Sequence, residues 1–159
     1  MIERLVREFG GLRVDTCDWP IVLMEFPELR IADTQLQDAL GYIENLMRDS
    51  EKMHTRSFQI TDLTRMRELA PPSQRQYGVE WMRRTLALQR TASVGGANVT
   101  PSPLLRGLIT AINWFQTPAM PTVSVATRRE ALVAGIELLD AAHVPIPEEL
   151  RMRIRFVRG

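Results

Sequence analysis

Three oxygen-bearing side chains lie close together in residues 60–76, ITDLTRMRELAPPSQRQ. Asp62 and Thr64 follow a short apolar stretch, and Ser73 follows two prolines. A phosphorylated hydroxyl would carry up to about two negative charges, and the nearby Arg75 guanidinium could bind it through charge-assisted hydrogen bonds. Ser73 and Thr64 are therefore candidate sites of regulatory phosphorylation, with Ser73 at the centre of a surface that contacts a partner.

Each of these side chains also has a purely structural alternative. Ser73 stands three residues before Gln76, which is the spacing of a capping box, so its hydroxyl could accept a hydrogen bond from the first turn of a helix. Asp62 and Thr64 follow a predicted strand, where such side chains often bond to their own turn. The carboxyl ends of strands are also where open α/β sheets bind ligands, so both interpretations stay open.

Arginine is concentrated around the same segment. Nineteen of the twenty basic residues are arginine, with Lys52 the one lysine, and arginine favours planar two-point contacts with carboxylate or phosphate groups. The segment is either a solvated face or a surface that docks an acidic partner. Trp114 departs from the apolar stripe of its predicted helix, so it is either a core residue or an interface anchor. The residues predicted to bind a partner are Asp62, Arg65, Arg75, Arg83, Arg84 and Trp114.

The sequence shows no catalytic or cofactor signature. It lacks the G-x-S-x-G nucleophile elbow. Residues 93–103, SVGGANVTPSP, carry two glycines before a helix but neither G-x-G-x-x-G nor a P-loop lysine. His54 and His143 have no metal-ligand partner at helical or turn spacing. We therefore predict a protein that is not an enzyme and that uses no metal or other cofactor.

Composition excludes several other classes. The chain has 159 residues, 45% hydrophobic and 25% charged, with a net charge of +1, so no strong field favours nucleic acid or an anionic membrane. Cys17 is the single cysteine, which fits a reducing compartment. Charges near the N-terminus leave no room for a signal peptide, and no apolar run is long enough to span a membrane. These features predict a cytoplasmic protein without membrane insertion.

Strand and helix patterns alternate along the chain. The strands are predicted at residues 12–17, 21–26, 56–62, 92–99 and 121–127. Helices follow the last four of them, and their predicted N-caps are Asp33 or Thr34, Ser73, Ser102 and Thr127. The first two strands form a hairpin, and the later alternation implies crossovers between parallel strands. The predicted fold is α/β, with a mixed, largely parallel sheet of about five strands and about four helices.

The sequence pattern leaves more than one conformation open for each end of the chain. Residues 1–144 are predicted to form one domain, and residues 145–159 a basic tail docked on it. The tail alternates arginine with apolar residues, as an added strand would, but Pro147 followed by two glutamates would also open a helix. Residues 1–9 fit either an amphipathic helix or an edge strand. Self-association through the tail or an edge strand would give a homo-oligomer.

The order of elements resembles that of STAS domains, the anti-sigma-factor antagonists. It is similar also to related bacterial families whose middle strand ends in Asp-Leu-Ser or Asp-Leu-Thr, here Asp62, Leu63 and Thr64. In the antagonists, a serine in an Asp-Ser-Ser motif at the start of the next helix is phosphorylated by a partner kinase. The resemblance makes Ser73 the corresponding residue, although Pro71 and Pro72 stand where the motif would begin.

Taken together, these features predict a non-catalytic protein-interaction module in a bacterial signalling, regulatory or scaffolding complex. The alternative is a domain that binds a small molecule or an acyl lipid in a pocket at the carboxyl ends of the strands. Cavity size near Asp62, Gly95 and Trp114 separates the two, because ligand sites need a lined cavity of a few hundred Å³.

Overall fold

The computed structural model describes residues 1–107, 109 and 120–156. The strands are β1 (Val6–Phe9), β2 (Leu12–Asp15), β3 (Ile21–Glu25), β4 (Ser57–Asp62), β5 (Ser93–Val99) and β6 (Thr122–Val125). The helices are α1 (Asp33–Lys52), α2 (Pro72–Arg84), α3 (Leu86–Ala92), α4 (Arg128–Ala141) and α5 (Glu148–Phe156). Residues 103–107 and 109 are also helical, and Trp114 lies outside the described residues.

The six strands lie in the sheet in the same order as in the chain. β1, β2 and β3 pair antiparallel, while β3, β4, β5 and β6 pair parallel. The predicted α/β class, the hairpin and the largely parallel sheet are confirmed. The sixth strand is β1, whose residues fitted both an edge strand and a helix. The register places Glu25 beside Asp62, and Asp62 beside Val99.

Helices cover both faces of the sheet. Because successive parallel strands move in one direction, right-handed crossovers put α1, α2 and α3 on the same face. There the α1 residues Leu40 and Ile43 pack with Val14 and Val22. The chain then crosses beyond β6, and α4 and α5 cover the other face. Alternation along β4 puts Phe58, Ile60 and Asp62 together on this second face.

The second face is closely packed around one aromatic ring. Phe58 is fully buried, and a Cβ atom built on Gly135 of α4 would lie 2.6 Å from its Cδ1. A Cβ on Gly95 would lie 2.6 Å from Leu138 Cδ1. The pairing register of β4 with β5 shifts between Ser57 and Phe58, next to Gly95. Glycine therefore allows α4 to approach the sheet closely.

Two of the predicted N-caps are wrong. The helix predicted to be capped by Thr34 or Asp33 begins at Asp33 with Ala32 as its N-cap, and the Gln35 side chain accepts a hydrogen bond from the Ala32 N–H. α2 begins at Pro72 with Pro71 as its N-cap, so Ser73 lies inside the first turn. Proline has the helical φ already built in and suits this first position, which moves the start ahead of the serine.

The second predicted helix also divides in two. α2 ends at Arg84 and α3 begins at Leu86. Between them, the Thr85 hydroxyl donates a hydrogen bond to the Trp81 carbonyl, and Gln89 Nε2 donates to Thr85 Oγ1. Threonine that bonds back to the preceding turn bends helices, which accounts for the break.

The segment after α4 is helical rather than extended. Leu150 of α5 is buried in the core of the second face. Arg151 pairs with Asp140 of α4, and Arg153 pairs with Asp18 in the turn before β3. Of the predicted alternatives for this segment, the structure therefore has the helix, and it packs against the domain. Among the described residues, no helix has the length and apolar character needed to cross a membrane.

Candidate functional site

The carboxyl edge of the sheet carries a buried acid bound to a basic residue. The Asp62 side chain at the end of β4 is 5% exposed. Arg128, the first residue of α4, donates to Asp62 Oδ2 from Nε at 2.9 Å and from an Nη at 2.7 Å. The same Arg128 binds Glu25 at the end of β3, at 2.6 Å. One arginine thus joins the ends of two neighbouring strands to the start of α4.

The protonation state of this group follows from its neighbours. Burial raises the pKa of Asp62, but hydrogen bonds from Thr64 and Arg128 outweigh burial and hold the pKa below its usual value. Burial lowers the pKa of Arg128, and the carboxylates of Asp62 and Glu25 more than compensate. The Thr64 N–H donates to Asp62 Oδ1 at 2.9 Å. Both oxygens of Asp62 are therefore occupied, and the carboxylate organises the loop that follows β4.

The start of α4 is capped as predicted. Thr127 Oγ1 accepts from the Glu130 N–H at 3.2 Å, and the Glu130 carboxylate accepts from the Ala126 N–H at 3.1 Å. This confirms the predicted cap at Thr127. Because Arg128 is the next residue, the cap also sets the position from which Arg128 reaches Asp62.

Alanine substitution of the two hydroxyl residues at helix starts is expected to lower stability at Thr127 and to leave it nearly unchanged at Ser73. Thr127→Ala removes a cap and should lower the free energy of unfolding by about 1 kcal/mol. Ser73→Ala removes a hydroxyl that forms no hydrogen bond among the described residues, so a change under about 0.5 kcal/mol is expected. Urea denaturation measures both. A loss for Ser73→Ala as large as that for Thr127→Ala would contradict this account of α2.

A cavity lies between the loops that follow β3 and β4. Its volume is about 510 Å³, and residues 26–31 and 66–71 form its walls together with Gln74. Two ion pairs connect the loops in opposite senses, Arg30 with Glu68 at 2.7 Å and Arg67 with Glu28 at 2.8 Å. The apolar lining residues are Phe26, Pro27, Leu29, Ile31, Met66, Leu69, Ala70 and Pro71.

This cavity is not at the position predicted for a ligand pocket, which was near Asp62, Gly95 and Trp114. Gly95 is buried, and a Cβ there would lie 2.8 Å from the Pro121 carbonyl oxygen, so its surroundings are filled. Trp114 lies outside the described residues. The cavity is on the same edge of the sheet as Asp62, but its walls are the residues of the two loops.

The predicted basic residues have different surroundings. Arg84 is bound to Glu44 of α1 at 3.0 Å. Arg65, Arg75 and Arg83 are exposed, and within the described ranges none of the three forms an ion pair. Asp62 and Arg84 thus each form an ion pair with another residue of the domain. In contrast, Arg65, Arg75 and Arg83 face solvent.

Hydroxyl groups and apolar side chains accompany these arginines at the surface. Thr64 and Ser73 are both exposed. Leu69 in the loop and Met82 on α2 are 43% and 44% exposed. The exposed residues between 64 and 83 therefore combine positive charge, hydroxyl groups and apolar side chains.

Comparisons with known proteins do not supply a family. No family model, curated protein or solved structure matches this chain significantly. Among the described residues, no group of three or more His, Cys, Asp or Glu side chains could hold a metal ion.

Three contributors to this edge of the sheet were missed from the sequence. Arg128 binds Asp62, Glu25 binds Arg128, and Gln74 lines the cavity. A signal for Arg128 did exist, because a basic pair directly follows the last predicted strand, whose carboxyl end lies at the same edge as Asp62. No local pattern distinguished Gln74 from the other glutamines.

Proposed function

We propose that this chain is a non-catalytic protein-interaction module of a bacterial cytoplasmic signalling or regulatory complex. The observation that carries the proposal is the surface from residue 64 to residue 83, where Arg65, Arg75 and Arg83 are exposed without ion-pair partners among the described residues. The resemblance to STAS domains agrees with such a role, since phosphorylation of a serine at the start of the corresponding helix switches partner binding in the antagonists.

The chemistry of the surface favours an acidic partner. Exposed guanidinium groups form two-point contacts with carboxylates and increase the rate of association with an oppositely charged surface. The exposed Leu69 and Met82 add apolar area in the same segment of the chain, and interfaces combine an apolar centre with a polar rim. A partner that places carboxylates against the three arginines would bury this apolar area.

The Ser73 hydroxyl is the proposed regulatory position. It lies in the first turn of α2 and is exposed, so a kinase could reach it without unfolding the helix. A phosphate there would lie near the positive end of the helix. It would also repel the carboxylates of an acidic partner. Phosphorylation is therefore proposed to weaken binding of the acidic partner.

Charge reversal tests the interaction surface directly. The triple variant R65E/R75E/R83E, expressed with a tag in the native cell, is expected to lose a stoichiometric partner that co-purifies with the wild type. The matched control R4E/R90E/R155E makes the same charge change at exposed arginines elsewhere. Mass spectrometry of both samples identifies the partner and reads phosphorylation at Ser73 and Thr64. Equal recovery of the partner with both triple variants would refute the proposed surface.

A further inference from the structure

The cavity between the loops after β3 and β4 has the dimensions of a ligand site. Its volume of about 510 Å³ falls within the range of roughly 300–1,000 Å³ typical of small-molecule pockets. It lies beyond the carboxyl ends of two parallel strands, where α/β sheets bind ligands. We propose that it binds a small, uncharged molecule with an apolar body and one N–H or O–H group that donates a hydrogen bond to Gln74.

Gln74 supplies the polar contact. Its side chain lines the cavity but is only 8% exposed. Nε2 donates to the Ile31 carbonyl and to Asp33 Oδ1, both at 2.9 Å. Because both partners can only accept hydrogen bonds, the amide orientation is determined and both of its hydrogens are used. Oε1 accepts no hydrogen bond from the described residues and is not sealed from solvent, so the donor group of the ligand is assigned to this atom.

The charged side chains of the cavity walls are already paired with each other, which disfavours a strongly charged ligand. Arg30 and Arg67 are the basic residues of the two loop walls, and each is paired with a glutamate of the opposite wall. A charged ligand would have to break one of these pairs. The remaining wall is mostly apolar, which favours an uncharged aromatic or aliphatic body.

The position in the sheet disfavours an extended peptide as occupant. A peptide that adds as a strand needs an unpaired sheet edge. In this sheet the edge strands are β1 and β6, whereas the cavity follows β3 and β4, which are paired on both sides. The cavity therefore offers a chain no row of backbone hydrogen bonds, and a compact molecule fits it better.

Two small probes test this assignment. Indole has an apolar ring and one N–H donor, whereas 1-methylindole has the ring without the donor. Each probe is titrated into isotope-labelled protein, and the amide NMR shifts are followed. Binding is expected to shift the signals of the non-proline residues in 26–31 and 66–74 and of the Gln74 side-chain amide. For so small a probe, a dissociation constant on the order of 1 mM is expected. Loss of one hydrogen bond predicts about fivefold weaker binding of 1-methylindole.

Filling the cavity provides the second measurement. Ala70 lines the cavity, whereas Ala87 is exposed on α3. Ala70→Leu is expected to weaken indole binding at least about fivefold through lost space, and Ala87→Leu to leave it unchanged. Equal affinity for the two probes, or shifts away from these loops, would overturn the proposal. Loss of a protein partner in Ala70→Leu, without indole shifts in the wild type, would also overturn it and assign the cavity to a side chain of that partner.

Discussion

Truncating Phe58 to alanine is expected to lower the free energy of unfolding by about 4 kcal/mol. The ring is completely buried between the sheet and α4 and packs in the space left by Gly135 and Gly95. Such close packing leaves α4 little freedom to move inward and fill the cavity that the mutation would create. Chemical denaturation monitored by tryptophan fluorescence measures the change.

The consequence should reach the functional edge, because α4 carries Arg128 at its first residue. A loosened α4 would weaken the contact of Arg128 with Asp62 in the same variant. Phe9→Ala is the matched control, since Phe9 is only half-buried and lies on the edge strand β1. A loss for Phe58→Ala no greater than that for Phe9→Ala would contradict the central position of this ring.

Replacing Asp62 with asparagine is expected to cost about 2 kcal/mol at neutral pH. Breaking a fully buried ion pair costs about 3–5 kcal/mol. Arg128 is 47% exposed and keeps its contact with Glu25, so the cost is smaller here. The asparagine keeps an oxygen for the Thr64 N–H, but its NH2 group then faces the donors of Arg128, so the substitution removes the charge together with both hydrogen bonds from Arg128.

The direction in which the cost of Asp62→Asn changes with pH follows from the pKa of Asp62. The pKa of Asp62 is lower in the folded protein than its usual value, so the folded state favours the charged carboxylate. The stabilisation is complete above the unfolded pKa of about 3.9 and is lost as the pH falls through the folded pKa. The difference between wild type and Asp62→Asn should therefore shrink below about pH 4.

The control for this prediction is an exposed acid. Asp49 pairs with Lys52 on the surface of α1, and its side chain is 55% exposed, so Asp49→Asn should cost less than about 0.5 kcal/mol. Denaturation curves at several pH values between 2.5 and 7 test both variants. A cost for Asp62→Asn that does not change with pH would show that the carboxylate charge contributes nothing.

Much of the sheet could be predicted because its signals are local. The continuous apolar run at 21–26 marked a strand covered on both faces, and alternation around Phe58 and Ile60 identified the buried side of β4. Two N-caps were mispredicted because several residues competed for each. At α2, proline rather than Ser73 sets the first turn, and at α1 the Asp33 carboxylate binds Gln74 from a distant helix.

The position of Asp62 at the carboxyl edge of the sheet could be predicted, but the residues that bind it could not. The location of Asp62 at a strand end was enough to expect it at the ligand-binding edge. Its partner Arg128 is separated from it by 66 residues, and pairing over that distance depends on how α4 crosses the sheet. The cavity depends on two loops whose ion pairs connect distant segments, and no spacing within either loop encodes that contact.

The chain order of the six strands bears on how this protein is made. During synthesis, each new strand can join a neighbour that has already left the ribosome, so the sheet can grow without waiting for a distant segment. The face that contains Phe58 and Ile60 is an exception, because α4 and α5 cover it and are made after every strand. Until they emerge, that apolar face is open to other nascent chains, and aggregation is the expected hazard. A chaperone that binds apolar segments would protect the chain most effectively during this interval.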